Sequence, residues 1–234
     1  MAMKLHWSPD SANLPVRIAL ERLGLAFEGV RVNRQAREQD GAAYRKINPQ
    51  GLIPALEDDA VVLFEAGAIL LHVAERAGRF GPNGPLVEDP DARARALSWL
   101  FYLSNTVHAD LRCAFYPHRI MPGHEPILVA GIRRRFAGHC DLLEGVLAGG
   151  TFFAAGASIL EDYLGACLRW AQLYPGTYGP VLESLDCWPG LAALMAEHEV
   201  DPALRRAMAA EAINGSQPIT RPALPELPEA EVTG

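Results

Sequence analysis

Apolar residues in the first part of the chain follow two different periods. An apolar-rich run covers Met3 to Trp7, and a run of alternating character covers Ala26 to Val32. Each run predicts a β-strand. Between them, apolar side chains recur at the spacing of an amphipathic helix that Gly24 ends: Val16, Ala19, Leu20 and Leu23. The chain is therefore predicted to open with a strand, a helix and a second strand.

The weakly patterned polar stretch from Arg34 to Lys46 is expected to hold a short helix and a loop, and the next apolar runs predict a β-hairpin and a further helix. Ala55-Leu56 and Val61-Val62-Leu63 stand on either side of the acidic triplet Glu57-Asp58-Asp59, where a turn is expected. Helical spacing then returns and stops at Gly78, in the stripe Ala66, Ile69, Leu70 and Val73. This order of elements is the thioredoxin-like arrangement, with a right-handed first crossover. We predict an α/β domain of that type over residues 1–78.

Beyond this domain the composition changes. Residues 79–90 are rich in Gly and Pro and are expected to form a linker. Only helical spacing follows, which predicts an all-helical domain over residues 91–214. Within it, Ser158 and Glu161 have the spacing of a capping box at a helix start. Residues 215–234 carry several prolines among acidic residues and are predicted to be an extended tail.

Charge and cysteine spacing narrow the classes of function. The chain has 21 basic and 28 acidic side chains and a formal net charge of -7, which argues against nucleic acid as a partner. It shows neither the apolar core of a signal peptide nor a membrane span, so we expect a cytoplasmic protein without membrane association. The cysteines are far apart and lack metal-ligand spacing, so we expect neither disulfides nor a metal site: Cys113, Cys140, Cys167 and Cys187.

Two segments indicate a small-molecule site. Gly51 and Pro54 punctuate a turn, and Ile53-Pro54 is a bond at which a cis peptide is energetically accessible. Glu65 opens a helix, and the unpaired amides of a helix N-terminus attract an anion. Together these features indicate a site that holds a small peptide-like ligand by its backbone and its carboxylate.

A second candidate site is the loop that holds Ser11 and Asn13, just before the first predicted helix. A hydroxyl, a side-chain amide and the positive end of a helix dipole each favour a thiolate over a thiol placed there. The alternative is that Ser11 or Asn13 simply caps the helix with its side chain.

The ordered set of these segments resembles the glutathione S-transferase family over nearly the full length of the chain. The resemblance implies a thioredoxin-like domain followed by an all-helical domain, with glutathione as co-substrate and no metal. It also assigns residues to the parts of glutathione. Gln50 would reach the glycine carboxylate, Ile53 would offer its backbone beside a cis Pro54, and Glu65 would hold the γ-glutamyl ammonium. Ala66 would bind the adjoining carboxylate by its N–H alone, since the family usually has Ser there. As alternatives, Gln50 is a solvated loop residue and Glu65 only favours the helix dipole.

The same resemblance bears on catalysis. Transferases of the serine or cysteine type place their thiol-activating residue in the loop that holds Ser11 and Asn13. Ala12 stands where the beta class has its cysteine, so the resemblance implies Ser11 as the catalytic residue, with Asn13 second. The apolar stripe from Ala92 to Val107 predicts one helix that continues past His108, which stands where the beta class has a histidine near the thiol.

His108, Arg112 and Tyr116 would line the second-substrate site, although an interior histidine and a solvated helix end would also explain them. The resemblance implies a homodimeric detoxification enzyme in which the glutathione thiolate attacks a small electrophile. Glutathione-dependent isomerisation, dehalogenation or disulfide reduction is an alternative of the same kind. A binding or scaffold protein without turnover is an alternative of a different class.

Overall fold

The computed structural model describes residues 2–59, 61–81, 86–149, 158–174 and 176–211. Its first part contains a four-stranded mixed sheet with the strand order β2-β1-β3-β4. Strand β1 is parallel to β2 and antiparallel to β3, and β3 is antiparallel to β4. The strands are β1 (Met3–Trp7), β2 (Phe27–Arg31), β3 (Ala55–Asp58) and β4 (Val61–Phe64). The helices of this part are α1 (Leu14–Leu23), α2 (Ala42–Arg45) and α3 (Ala66–Ala77). The thioredoxin-like prediction is confirmed.

The core of this part forms where the predicted apolar stripes meet the sheet. Leu5 of β1 and Leu56 of β3 are fully buried, and the apolar stripe of α1 packs with them. Both predicted helix ends are confirmed, because Gly24 and Gly78 terminate α1 and α3 at positive φ angles of 67° and 73°. Glycine adopts that left-handed conformation without the steric cost of a Cβ.

The rest of the described chain is helical, as predicted. Its helices are α4 (Pro90–Tyr102), α5 (His108–Phe115), α6 (Pro117–Ile120), α7 (Glu125–Ala148), α8 (Ile159–Leu173), α9 (Pro189–Glu199) and α10 (Pro202–Ala210). Every side chain of α8 is buried. The predicted capping box at its start is confirmed. The Glu161 carboxylate accepts from the Ser158 N–H, and the Ser158 hydroxyl accepts from backbone N–H groups at the helix start, among them that of Leu160. Among the helices of the described residues, none combines the length and apolar character that a membrane span requires.

The helix predicted from Ala92 past His108 is confirmed, because the chain is helical without a break from Pro90 to Phe115. The prediction did not include the π-helical segment (Leu103–Val107) that lies between α4 and α5, with His108 as the first residue after it. Helix α5 then stops at Phe115, and Tyr116 has the non-helical dihedral angles φ -126° and ψ 52°. The physical reason for the stop is Pro117, which disfavours a helical conformation at the residue before it and opens α6 instead.

Helices α8 and α10 pack on α1, so the helical part lies directly against the α/β part. The domain limits at residues 78 and 91 stay predictions. The predicted linker is described in part: Arg79 forms an isolated antiparallel bridge with Leu86, whereas residues 82–85 lie outside the described residues. The predicted tail, residues 215–234, also lies outside them.

Candidate functional site

Three segments of the α/β part meet at one end of the sheet, where the strands β1, β3 and β4 begin or end. His6 near the end of β1 pairs with Ala55 at the start of β3, and Ala55 pairs with Phe64 at the end of β4. The loop that follows β1 holds Ser11 and Asn13, the turn before β3 is Ile53-Pro54, and Glu65 directly follows β4. The register therefore brings the three segments singled out in the sequence to the same end of the sheet.

The turn before β3 is fixed by buried polar groups. The Ile53-Pro54 peptide is cis. The amide of buried Asn48 donates to the Leu52 carbonyl at 2.7 Å and accepts from the Gln50 N–H at 3.0 Å. Tyr44 donates its hydroxyl to the same Leu52 carbonyl at 2.8 Å, and burial raises the pKa of Tyr44 to about 12. Ile53 remains half-buried beside this turn.

Glu65 stands at the N-terminus of α3 with an unusual backbone. Its φ of 71° lies in a region that side chains with a Cβ rarely adopt, at a cost on the order of 1–3 kcal/mol. The exposed Gln50 amide donates to the Glu65 carboxylate at 3.0 Å, which joins the turn and the helix start. Ala66 follows in the first turn of α3 and is buried. Gln50, Ile53, Pro54, Glu65 and Ala66 are thus brought together.

The Ser11 hydroxyl lies within hydrogen-bond distance of two acceptors. Its Oγ is 2.5 Å from the side-chain oxygen of Asn13 and 3.0 Å from the Ser8 carbonyl. Asn13 occupies the N-cap position of α1, yet its side chain makes no capping hydrogen bond. The alternative role of a side-chain helix cap is therefore wrong. Ser11 is half-buried, whereas Asn13 is fully buried.

Asn13 is held from both sides. Its oxygen accepts from the Ser8 N–H at 3.0 Å, and its amide nitrogen donates to the Glu211 carboxylate at 2.5 Å. Glu211, at the end of α10, also accepts from the Asp10 N–H at 3.0 Å and from the Arg17 guanidinium at 3.1 Å. Sequence reasoning missed Glu211, because a partner 198 residues away leaves no local signal.

Asp10 ties the same loop to α8. Its backbone has a positive φ of 46°, and its carboxylate accepts from the buried Arg169 guanidinium at 3.1 and 3.2 Å. The Trp170 indole donates to it at 3.1 Å and the Tyr174 hydroxyl at 3.5 Å. The turn-forming character of Ser8-Pro9-Asp10 indicated a loop, but not that its carboxylate would be an anchor for the helical part.

His108 lies beside Trp170, whose indole donates to Asp10. Its Nδ1 is 2.8 Å from the Tyr163 hydroxyl, and its ring is 5.1 Å from the Trp170 ring. Burial, with a smaller effect from the Arg112 charge, lowers the pKa of His108 to about 4. The imidazole is therefore neutral near pH 7. It touches the indole that holds Asp10 and makes the interior contacts that the alternative interpretation expects.

Arg112 and Tyr116 lie at the end of α5, where the two parts of the chain meet. Arg112 is exposed. The Tyr116 hydroxyl accepts from the guanidinium of Arg34, which belongs to the segment after β2, at 3.2 Å. Arg119 of α6 lies over the Tyr116 ring at 4.6 Å from its centroid. Within the described part of the chain, no group of three or more His, Cys, Asp or Glu side chains could hold a metal ion.

Known proteins are similar to this chain in sequence and fold. A family model described as the N-terminal domain of glutathione S-transferase matches residues 1–75. A sphingomonad glutathione S-transferase, solved in complex with glutathione, is 30% identical to this chain with a TM-score of 0.73. That comparison covers 90% of this chain and 99% of the sphingomonad chain. The chain belongs to the glutathione S-transferase family.

Two further glutathione S-transferase relatives extend over the same length. GstA of Escherichia coli O157:H7 is 27% identical over 217 residues, covering 90% of this chain and all of that protein. The transferase homologue from sulfitobacter, solved with bound glutathione, is 25% identical with a TM-score of 0.74 and covers 91% of this chain and 99% of that one. The predicted two-part architecture of a glutathione S-transferase is thus confirmed for the described residues.

Proposed function

We propose that the protein is a glutathione transferase whose Ser11 hydroxyl activates the glutathione thiol for attack on a small electrophile. One observation carries this proposal: the sheet register brings the Ser11 loop, the Ile53-Pro54 turn and the Gln50–Glu65 pair to the same end of the sheet. A tripeptide that spans these three segments would have its thiol beside a hydroxyl donor. The relatives solved with glutathione support the same ligand.

Each part of glutathione meets a suitable group in this proposal. The Glu65 carboxylate attracts the γ-glutamyl ammonium, and the Ala66 N–H at the start of α3 donates to the adjoining carboxylate. The Ile53 backbone pairs with the cysteinyl unit. Gln50, 3.0 Å from Glu65, has a second amide proton for the glycine carboxylate.

Ser11 and Asn13 then have different roles. A hydroxyl has one proton, which Ser11 gives to the Asn13 oxygen or to the Ser8 carbonyl. A thiolate is a charged acceptor, and charge-assisted hydrogen bonds are roughly twice as strong as neutral ones, so it would draw that proton away. Asn13 has both ends of its amide engaged and is buried, so it positions Ser11 and does not touch the thiol.

The remaining features of the proposal follow the family. The protein acts in the cytoplasm as a homodimer, and exposed apolar side chains on the edge strand β4 and on α4 supply surface for the second copy: Val61, Val62 and Phe101. Residues 1–78 bind glutathione and the helical residues 91–214 hold the electrophile with His108, Arg112 and Tyr116. Detoxification of electrophiles is the physiological role.

Two observations favour a second candidate, a glutathione-binding protein without turnover. Ala66 lacks the hydroxyl that the family usually has at this position, and Ala12 stands in place of the beta-class cysteine. A lost hydrogen bond to a charged group is worth roughly 1.5–3 kcal/mol, which weakens the hold on glutathione without removing the site.

Conjugation of chlorodinitrobenzene to glutathione tests the proposal. The thiolate forms a C–S bond at the chlorine-bearing carbon, chloride leaves with the electron pair of the C–Cl bond, and the thiol proton passes to water. Ser11→Ala should lower kcat/KM roughly ten- to a hundredfold, since it removes one hydrogen bond to a charged group. Ser98→Ala, on an exposed serine of α4, is the control. If the unaltered protein binds glutathione but shows no turnover above the uncatalysed rate, the transferase proposal is wrong and the second candidate, a binding protein, is supported.

A further inference from the structure

Two arginines lie at the junction of the α/β and helical parts without a carboxylate partner among the described residues. Arg34, after β2, and Arg119, on α6, both contact Tyr116 and are both exposed. The Asp40 carboxyl forms ion pairs with Arg37 at 2.8 Å and with Arg45 at 3.6 Å. Its pKa is lowered mainly by Arg37, then by Arg45, and least by Arg119.

The neighbours of Tyr116 connect this pair of arginines to the candidate catalytic loop. Phe115 precedes Tyr116 in the chain and packs its ring on the ring of Tyr174. The Tyr174 hydroxyl is 3.5 Å from the Asp10 carboxylate, and Asp10 adjoins Ser11.

Aromatic side chains lie next to Tyr116. The Phe115 and Tyr174 rings pack at 5.3 Å between centroids, and Tyr116 follows Phe115 in the chain. Flat apolar surface beside a guanidinium suits a planar molecule that carries a negative group. Arginine has five donors in a rigid fork that matches a carboxylate with two hydrogen bonds, and one Arg34 donor is engaged by Tyr116.

We infer that Arg34, supported by Arg119, selects electrophiles that carry an anionic group such as a carboxylate. This inference rests on the proposed function, since it names the acceptor class for that same site. The chain as a whole carries a net charge of -7, which disfavours anions in general. A local pair of unneutralised guanidiniums is therefore what makes this one region favourable for an anion.

The test compares two electrophiles of similar size and opposite charge state: anionic chlorodinitrobenzoate and its neutral amide, chlorodinitrobenzamide. The substitution at the chlorine-bearing carbon is the same for both, but the amide group withdraws electrons more strongly, so each kcat/KM is divided by the rate constant of the uncatalysed reaction with glutathione. In the unaltered protein, this normalised kcat/KM should be higher for the benzoate. Arg34→Gln should lower the benzoate-to-benzamide ratio of kcat/KM about tenfold or more, and Arg34→Lys should lower it less, because it keeps the charge and loses the fork. Arg134→Gln, on an exposed arginine of α7, should keep the original ratio.

A second source of carboxylate is the glycine end of glutathione itself. If Arg34→Gln raises the KM for glutathione and leaves the benzoate-to-benzamide ratio unchanged, the guanidinium serves glutathione and the inference is wrong. An unchanged ratio with an unchanged KM for glutathione overturns it as well.

Binding of the unreactive pair dinitrobenzoate and dinitrobenzamide separates this inference from the proposed function. Calorimetric titration of each into the unaltered protein and into Arg34→Gln reports the site whether or not turnover occurs. Tighter binding of dinitrobenzoate that Arg34→Gln abolishes, in a protein without conjugating activity, supports the anion site and rejects the transferase. Equal binding of both compounds rejects the anion site.

Discussion

The amide of Asn13 donates to the carboxylate of Glu211 at 2.5 Å, and this contact joins the loop before α1 to the end of α10. Glu211 is fully buried and also accepts hydrogen bonds from the Asp10 N–H and the Arg17 guanidinium. The packing of α10 on α1 holds it in this position. The position of Ser11, which bonds to Asn13, therefore depends on residues from the opposite end of the described chain.

Glu211→Ala should destabilise the fold by about 3–5 kcal/mol, because it leaves the buried Arg17 guanidinium without its counter-charge. Urea unfolding measures the change. Glu197→Ala, on an exposed glutamate of α9, should change the free energy of unfolding by less than about 0.5 kcal/mol.

A double-mutant cycle of Asn13→Ala with Glu211→Ala measures the contact itself. The coupling should be about 0.5–3 kcal/mol, as for directly hydrogen-bonded residues. Strictly additive losses in the two single variants would show that Asn13 and Glu211 contribute independently.

The Glu161 carboxyl of the capping box should make the free energy of unfolding depend on pH. Burial raises the pKa of Glu161 to about 8, from an ordinary value of 4.5. The folded protein therefore holds this proton more tightly than the unfolded chain does. The stabilisation from the protonated carboxyl is complete below about pH 4.5 and is lost as the pH rises to about 8.

Glu161→Gln removes the titration and keeps an oxygen that accepts from the Ser158 N–H. Relative to this variant, the unaltered protein should lose up to about 1.4 kcal/mol of stability per pH unit between pH 5 and 8. The difference should be constant above about pH 8. Unfolding free energies measured at several pH values give the difference directly, and a difference that does not vary with pH would refute the assignment.

Ala66→Ser should tighten glutathione binding. The serine hydroxyl would add a hydrogen bond to the γ-glutamyl carboxylate, worth roughly 1.5–3 kcal/mol, or about tenfold or more in Kd. Ala68→Ser, at an exposed position of the same helix, is the matched control and should leave Kd unchanged. Equal Kd values for the two variants would mean that Ala66 does not adjoin the carboxylate.

The features that depend on neighbouring residues could be predicted from the sequence, whereas most long-range contacts could not. Apolar spacing predicted the order of strands and helices, because the period of a helix or strand is set by neighbours a few residues apart. The turn at Ile53-Pro54 was predicted from Gly51 and Pro54, and the helix start at Glu65 from the apolar stripe that follows it, which are local signals as well. The π-helical segment before His108 was missed, since the apolar stripe continues across it.

Long-range contacts account for what could not be predicted at the candidate site. The capping role considered for Asn13 was the local expectation, but a carboxylate from α10 and the Ser8 N–H take up its side chain instead. Asp10 likewise gains Arg169 and Trp170 from α8, some 160 residues away. Such partners are fixed by the packing of the helical part on α1, which residue spacing does not reveal.

Calorimetric titration of glutathione into the protein tests the central claim most directly, with the ultraviolet absorbance of the thiolate followed in the same samples. The account predicts binding at or below millimolar glutathione with a thiolate signal at neutral pH. It also predicts that Glu65→Gln weakens the binding about tenfold or more, because the ammonium loses its charged partner. Absence of binding at millimolar glutathione would contradict the account, and sequence and fold alone would then relate this chain to its family.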